Sequence, residues 1–411
     1  MTRTTLRLAV RNTLRRRART AFTIGMVLFA VAMLLVATTW VGGIFSTMLS
    51  AMTAVGGHVR VVDPEFAARE ELMPLYENLE QTAPLVALLE RQPGVLAVEP
   101  RITTGVTVTK GEEIGDVFAL AVGASERYFR EQVGAKQKLI AGSWFTGAPD
   151  EIIAGAKVAE RTGAHVGDEL VLLGATQDGS LSPIKGKLVG IFRSGAGVLD
   201  QQVWLPLEKA RWLTDIPEGA TELLVFTAGL EEGKAVASQL KALPELKAYT
   251  VQAWDEREPL KSLIGTVAGM QGVIVFTFVF LAALGIWNTM TMSVLERTHE
   301  IGVLRAMGMS RLEVVGMFVG EALAIAVAGG ILGLLLGLGP AWLLETRGIH
   351  IGDRLASSAQ TMISETIRGD LTPQAMIQAF ALGLLMALLG SLLPALRAAS
   401  IQPVSAIRSG R

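Results

Sequence analysis

The sequence predicts a membrane protein with four transmembrane α-helices plus a large α+β extracytoplasmic domain. That domain is expected to hold two split βαβ-type halves with an inserted small β subdomain. Three observations carry this prediction. Thr20–Gly57, Ser262–Leu295, Ala322–Leu344 and Leu371–Leu396 contain no Asp, Glu, Lys or Arg. Each run exceeds the roughly 20 residues that a helix needs to cross about 30 Å of hydrocarbon. Half of the 411 residues are hydrophobic, 44 are glycine, and mean hydropathy is +0.44. Most of the Pro, Asp, Glu and Lys, together with period-two alternation, fall between residues 45 and 264.

The spans are expected at 22–44, 267–292, 315–344 and 373–396. The first is read as a retained anchor, because its apolar run is too long for a cleaved signal peptide, whose apolar core is about 7–15 residues. Orientation follows from the tails. Arg3, Arg7, Arg11, Arg15, Arg16, Arg17 and Arg19 precede the first span, and Arg397, Arg408 and Arg411 follow the last, with no acid in either tail. The positive-inside rule puts both termini in the cytoplasm, and four spans are consistent with that. The expected site is therefore the cytoplasmic (inner) membrane, with 45–264 and the 345–372 loop outside. Residues 1–21 read as a basic amphipathic helix on the inner leaflet, with membrane lipids rather than nucleic acid as the anion. Leu355, Met362, Ile363 and Ile367 could form an amphipathic helix in the 345–372 loop. Residues 397–411 are a cytoplasmic tail.

In the external domain, Gly57–Asp63, Gly105–Thr109, Leu170–Leu173 and Lys187–Phe192 read as strands. Leu89–Ala97 aligns without gaps on Leu240–Ala248, each reading as a helix end, a Pro stop and a strand start. A duplicated strand–helix–strand unit follows. Between the copies, about 138–195, lies a Gly-rich β region whose glycines are expected in tight turns.

The second and third spans are joined by a polar stretch, 293–313, expected as one surface helix on the cytoplasmic side. Glu296 and Glu300 lie four apart on one face, and Ile301, Leu304 and Met307 fall on another. Gly308 reads as the stop, and Ser310 with Glu313 as a capping box for the next helix. In the third span, Gly329, Gly333 and Gly337 recur every four residues, as does the earlier pair Gly316 and Gly320. Such spacing lets backbones approach closely in lipid, within a bundle or across a dimer interface. Glu321 is the one acid within this apolar stretch, open to a packing or capping role or to a gating or proton role.

Catalytic chemistry is not legible. The chain has no Gly-x-x-x-x-Gly-Lys-Ser/Thr loop and no Gly-x-Ser-x-Gly elbow. His299-Glu300 lacks the second histidine of a zinc-protease motif. His58, His165, His299 and His350 show no metal spacing, and Cys is absent. An enzyme is not expected, and no catalytic, cofactor-binding or metal-binding residue is assigned.

Several segments carry a resemblance: Asn12–Thr20, Pro93–Arg101, Gly142–Phe145, Glu296–Gly308 and Pro394–Pro403. On these the chain resembles permease subunits of the MacB/FtsX-type ABC transporter superfamily, which includes lipoprotein-release permeases. The resemblance implies a MacB-like periplasmic core domain, a dimer with a second copy or a paralogue, and a separate ABC ATPase subunit holding ATP and Mg. It implies that Glu296, Arg297, Glu300, Ile301, Gly302, Leu304, Arg305, Ala306 and Gly308 form the coupling helix for that ATPase. The implied function is ATP-driven extrusion or release of a hydrophobic cargo (lipoprotein, lipid, peptide or drug) by mechanical transmission to the external domain. The alternative is an FtsX-type signal transducer regulating a cell-wall hydrolase, with an extracytoplasmic partner protein. The 345–372 loop departs from the family in its length.

Overall fold

A computed structural model describes residues 17–111, 116–133, 138–194, 199–258, 260–350 and 366–402. The expected helix over residues 1–21 lies almost wholly outside the described residues, as do Leu355, Met362, Ile363 and the end of the tail. Ile367, expected in a helix, lies in a short strand, Thr366–Ile367. The chain forms two compact units. One comprises residues up to Ser46, Gly265–Ile349 and the chain from Arg368; the other comprises Thr47–Ile264 and His350–Ile367.

The first unit is built on four helices long and apolar enough to cross a membrane: α1 (Arg17–Gly56), α6 (Leu260–Glu296), α8 (Arg311–Thr346) and α9 (Pro373–Ser400). Their core joins Val27, Val31 and Leu34 of α1 to Ile286 and Met290 of α6, Phe318 and Ala326 of α8, and Met386 and Ala387 of α9. The glycines of α8 let α1 approach closely. A Cβ on Gly329 would lie 2.8 Å from Val27 Cβ, on Gly333 2.6 Å from the Leu28 carbonyl oxygen, and on Gly337 3.0 Å from Ala32 Cα. Only hydrogen leaves room for α1 there. The glycine ridge is therefore filled within the chain, which corrects its expected alternative use as a dimer interface. In α6, only 6% of the most apolar window is buried, against 39–44% in the other three.

The second unit is α+β. Strands β1 (Val59–Val62), β9 (Glu222–Phe226) and β10 (Thr250–Ala253) pair with the start of β2 (Ala97–Thr109) in the order β10-β1-β9-β2, all antiparallel. Helix α2 (Thr82–Glu90) links β1 to β2, and α5 (Leu230–Lys241) links β9 to β10. Leu85 and Leu89, with Val236 and Leu240, pack on Val59, Val61, Leu223 and Val225. The two βαβ halves thus interleave in one sheet, each splitting the other's strands.

The insertion is larger than 138–195. It also uses β3 (Val117–Ala124), β8 (Gln202–Pro206) and helix α4 (Leu207–Thr214), besides β4 (Lys138–Gly142), β5 (Glu151–Gly155), α3 (Ala156–Thr162), β6 (Glu169–Ala175) and β7 (Leu181–Arg193). The pairings β2-β3-β8-β5-β7-β6 return to β2 and close a six-stranded ring, with β4 attached to β7. The Gly-rich region alone would leave open strand edges; β2, β3 and β8 remove them. β2 serves both parts: Ala97–Arg101 pair with β9 and Ile102–Val108 with β3. Gly142, Gly163 and Gly167 do turn with positive φ. Gly155 does not; a Cβ there would meet the Asp200 carbonyl oxygen at 2.3 Å.

Candidate functional site

The polar stretch between α6 and α8 is not one helix. α6 runs on to Glu296, breaks at Arg297 (φ −107°, ψ 12°), and resumes as α7 (Thr298–Ala306). Gly308 then adopts φ +101°, a conformation that L side chains rarely take, and ends α7. Ser310 Oγ accepts from the Glu313 amide at 3.3 Å while Glu313 Oε2 accepts from the Ser310 amide at 2.9 Å, the reciprocal box that starts α8.

The residues assigned together from sequence separate into two sets. Arg297, Ile301, Gly302 and Arg305 turn into their own chain. Arg297 is buried, and its Nη1 donates to Glu321 Oε2 of α8 at 3.0 Å, both side chains being 10% exposed or less. Arg297, assigned from the resemblance to the coupling helix, is the residue before it and turns to α8, where it gives Glu321 a structural counter-charge. Ile301 is buried in the same core as Val314, Phe318 and Ala398. Arg305 Nη1 donates to the carbonyl oxygens of Ala399 and Ile401, both at 2.7 Å. Those carbonyls close α9, where a cation also meets the negative end of the helix dipole. Arg305 is therefore a tie to α9 rather than a surface handle.

The second set faces outward. Glu296, His299, Glu300, Ala306 and Gly308 are exposed, and Leu304 is half-buried. Among the exposed apolar side chains are Leu295, Val303, Met307 at 73% and Leu312 at 82%. Reading the sequence alone missed Val303 and grouped Met307 with buried Ile301. Glu300, Val303 and Met307 stand at i, i+3 and i+7, a spacing that puts them on one face. No sequence signal could have found the Ala399 and Ile401 carbonyls, because backbone acceptors are the same at every position.

α7 is thus a nine-residue platform with an outward face of mixed apolar and polar groups. Its inner side is fixed to α8 through Arg297 and to α9 through Arg305. A load on the outer face has two polar routes into the bundle. Among the described residues, no group of three or more His, Asp or Glu is placed to hold a metal ion.

Residues 272–403 match the family described as FtsX-like permease C-terminal, and residues 20–243, more than half of the chain, match the MacB-like periplasmic core domain. The lipoprotein-releasing system transmembrane protein LolC of Neisseria meningitidis serogroup B is 25% identical, over 79% of this chain and 80% of that protein. A macrolide export ATP-binding/permease protein MacB of Paracoccus denitrificans is 26% identical, over 79% of this chain but 47% of that protein. The crystal structure of the periplasmic region of MacB from Actinobacillus actinomycetemcomitans aligns with a TM-score of 0.37 at 13% identity, covering 52% of this chain and 95% of that one. The FtsX-like match takes in α7 with α8 and α9, and the MacB-like match takes in α1 and most of the α+β unit. The chain belongs to the MacB/FtsX-type ABC transporter permease family.

Proposed function

We propose that the chain is the permease subunit that couples ATP hydrolysis by a separate ATPase to extrusion or release of a hydrophobic cargo. The ATPase docks on the outward face of α7 and holds the ATP and Mg; this chain supplies no catalytic group. The chain lies in the cytoplasmic membrane with both termini and α7 inside. The observation that carries this reading is the division of α7. Its inner side is fixed by the Arg297–Glu321 pair and the Arg305–carbonyl bonds, while Glu300, Val303 and Met307 stand outward. An apolar anchor ringed by polar groups suits a protein partner. The cargo class rests on the likeness to a lipoprotein-releasing and to a macrolide-exporting protein. The largely exposed α6 fits a second copy of the chain, or a paralogue, as dimer partner.

The test is co-purification with the ATPase. Met307→Glu and Glu300→Arg are expected to reduce retention of the ATPase at least tenfold, since loss of a central contact costs about 2 kcal/mol or more. The helical unit should stay folded, because neither side chain packs inside it. Full retention with both variants combined would remove α7 as the docking element. Arg305 is a poor probe, since its loss frees the end of α9.

A second reading is favoured by a different observation. Phe118 and Leu173 point outward on the ring of strands, opposite Thr107 on either side, and Leu181 lies exposed nearby. An exposed apolar row outside the membrane suits an extracytoplasmic protein partner, as a signal transducer acting on a cell-wall hydrolase would need. A stable complex of a hydrolase with this domain, lost in Phe118→Asp and without cargo movement, would replace the transport reading.

A further inference from the structure

The last turns of α1 belong to the α+β unit, and side chains from three separate segments converge on its final carbonyls. Arg101 Nη1, from β2, donates to the Val55 carbonyl oxygen at 2.6 Å. The Tyr128 hydroxyl, from the turn after β3, donates to the same oxygen at 2.6 Å. Arg257 donates from Nη1 to Gly56 at 2.6 Å and from Nη2 to Gly57 at 2.8 Å. A helix end carries carbonyls without partners and a partial negative charge, so guanidinium groups there serve as donors and as counter-charge.

The sequence around this end leaves little slack. Gly57 takes φ +67°, and a Cβ there would lie 3.1 Å from the Val225 carbonyl oxygen. A Cβ on Gly56 would lie 3.0 Å from Arg257 Nη1. Arg257 itself precedes α6 by three residues, and its carbonyl accepts from the Lys261 amide at 2.8 Å. One residue therefore ties the end of α1, through its guanidinium, to the start of α6, through its backbone carbonyl.

Behind the tie stands Glu222 of β9, almost fully buried. Arg101 reaches its Oε1 through Nε and Nη2, both at 3.0 Å, and Arg60 Nη1 of β1 lies 3.7 Å from its Oε2. Burial alone would raise the Glu222 pKa; Arg101 and then Arg60 outweigh it and hold the carboxyl below its ordinary value. Burial, with Arg60 adding to it, pushes the Arg257 pKa down to about 10. The charged cluster is thus anchored in two central strands of the split βαβ sheet and aimed at a helix end.

We propose that Arg101, Tyr128 and Arg257 form the joint through which movement of α1 and α6 is passed to the external sheet. Glu222 is the counter-charge that keeps Arg101 in place. The inference rests on the ATP-coupled reading above and names the residues that carry it. A helix transmits a push only if its end is held; a frayed last turn absorbs it. These are positioning residues, acting through the helix end that they hold.

The test uses the full chain assembled with its ATPase in lipid nanodiscs and has two arms. In the first, amide exchange is read over residues 50–57 without nucleotide. Arg257→Met and Arg101→Met are expected to speed it roughly tenfold or more, as loss of hydrogen bonds from a charged donor implies. Exchange in β1 and β9 should be unchanged in Arg257→Met, which confirms folding; Arg101→Met also strips buried Glu222 of its nearest cation, so β9 is expected to speed with it. Arg257→Lys keeps the charge but lacks the planar fork that meets the two carbonyls from separate nitrogens, so it should fall between, and it carries the test if the Met variants unfold. In the second arm, Ala21→Cys and Ala248→Cys, both at exposed positions of a chain without cysteine, carry spin labels. A non-hydrolysable ATP analogue should shift their separation in the parent and not in Arg257→Met, with the ATPase still bound. Unchanged exchange at 50–57, or a parental shift retained in the variants, overturns the joint. A parent with no shift overturns the ATP-coupled reading and the transmission role with it.

Discussion

Replacing Arg297 with methionine is expected to destabilise the helical unit by about 3–5 kcal/mol, because Glu321 is left buried without its counter-charge. The single bond from Nη1 to Oε2, at 3.0 Å, spans the break between α6 and α7 and reaches into α8. Among the described residues, Arg297 is the cation paired with Glu321. Equilibrium unfolding in mixed micelles measures the loss. The double variant Arg297→Met with Glu321→Leu should recover most of it, since apolar pairs of similar volume often replace a buried ion pair without penalty. Recovered stability would still leave a functional defect if the pair also transmits load from α7. A single variant within about 0.5 kcal/mol of the parent, the usual size of a surface substitution effect, would mean that the pair is not buried as described.

The second large effect is at Gly333. Leucine there would push a Cβ to 2.6 Å from the Leu28 carbonyl oxygen, and its remaining atoms into α1. A backbone carbonyl cannot turn aside, so α1 and α8 must separate, at about 3 kcal/mol by the usual scale of overpacking. Gly316 provides the comparison. Nothing lies within 4 Å of a Cβ there, so Gly316→Ala should be neutral, or gain up to about 1 kcal/mol of helix propensity. Unfolding of both variants in the same micelles distinguishes a specific α1–α8 seam from glycine's general abundance in membrane helices. Equal effects at the two positions would contradict the seam.

The four long helices were legible because an uncharged run of such length has few other solutions. The two strand–helix–strand halves were legible from the likeness of Leu89–Ala97 to Leu240–Ala248, which mark the ends of α2 and α5; their interleaving in one sheet was not. The closed ring of strands was not, because closure depends on pairing β2 with β6 and β3 with β8 across long sequence separations, and period-two alternation carries no partner information. In α7 the caps could be read from Gly308, Ser310 and Glu313, whose chemistry is local. The division of its arginines could not. Arg297 and Arg305 look like surface charges beside Glu296 and Glu300, and only the positions of Glu321 and the Ala399 carbonyl decide otherwise. The cluster around Glu222 was invisible for the same reason, since Arg60, Arg101, Tyr128 and Arg257 share no motif.

Docking of the ATPase on the outward face of α7 can be tested with a single cysteine, in a chain that has none of its own. Met307→Cys, at the 73% exposed position that caps the end of α7, and Phe276→Cys, at a 67% exposed position on α6, are each joined to a short cross-linker in membranes containing the ATPase. Cross-linking to the ATPase from position 307 and not from 276, where any product joins two permease chains, is the predicted result. No ATPase adduct at 307, or equal adducts from both positions, would contradict the account.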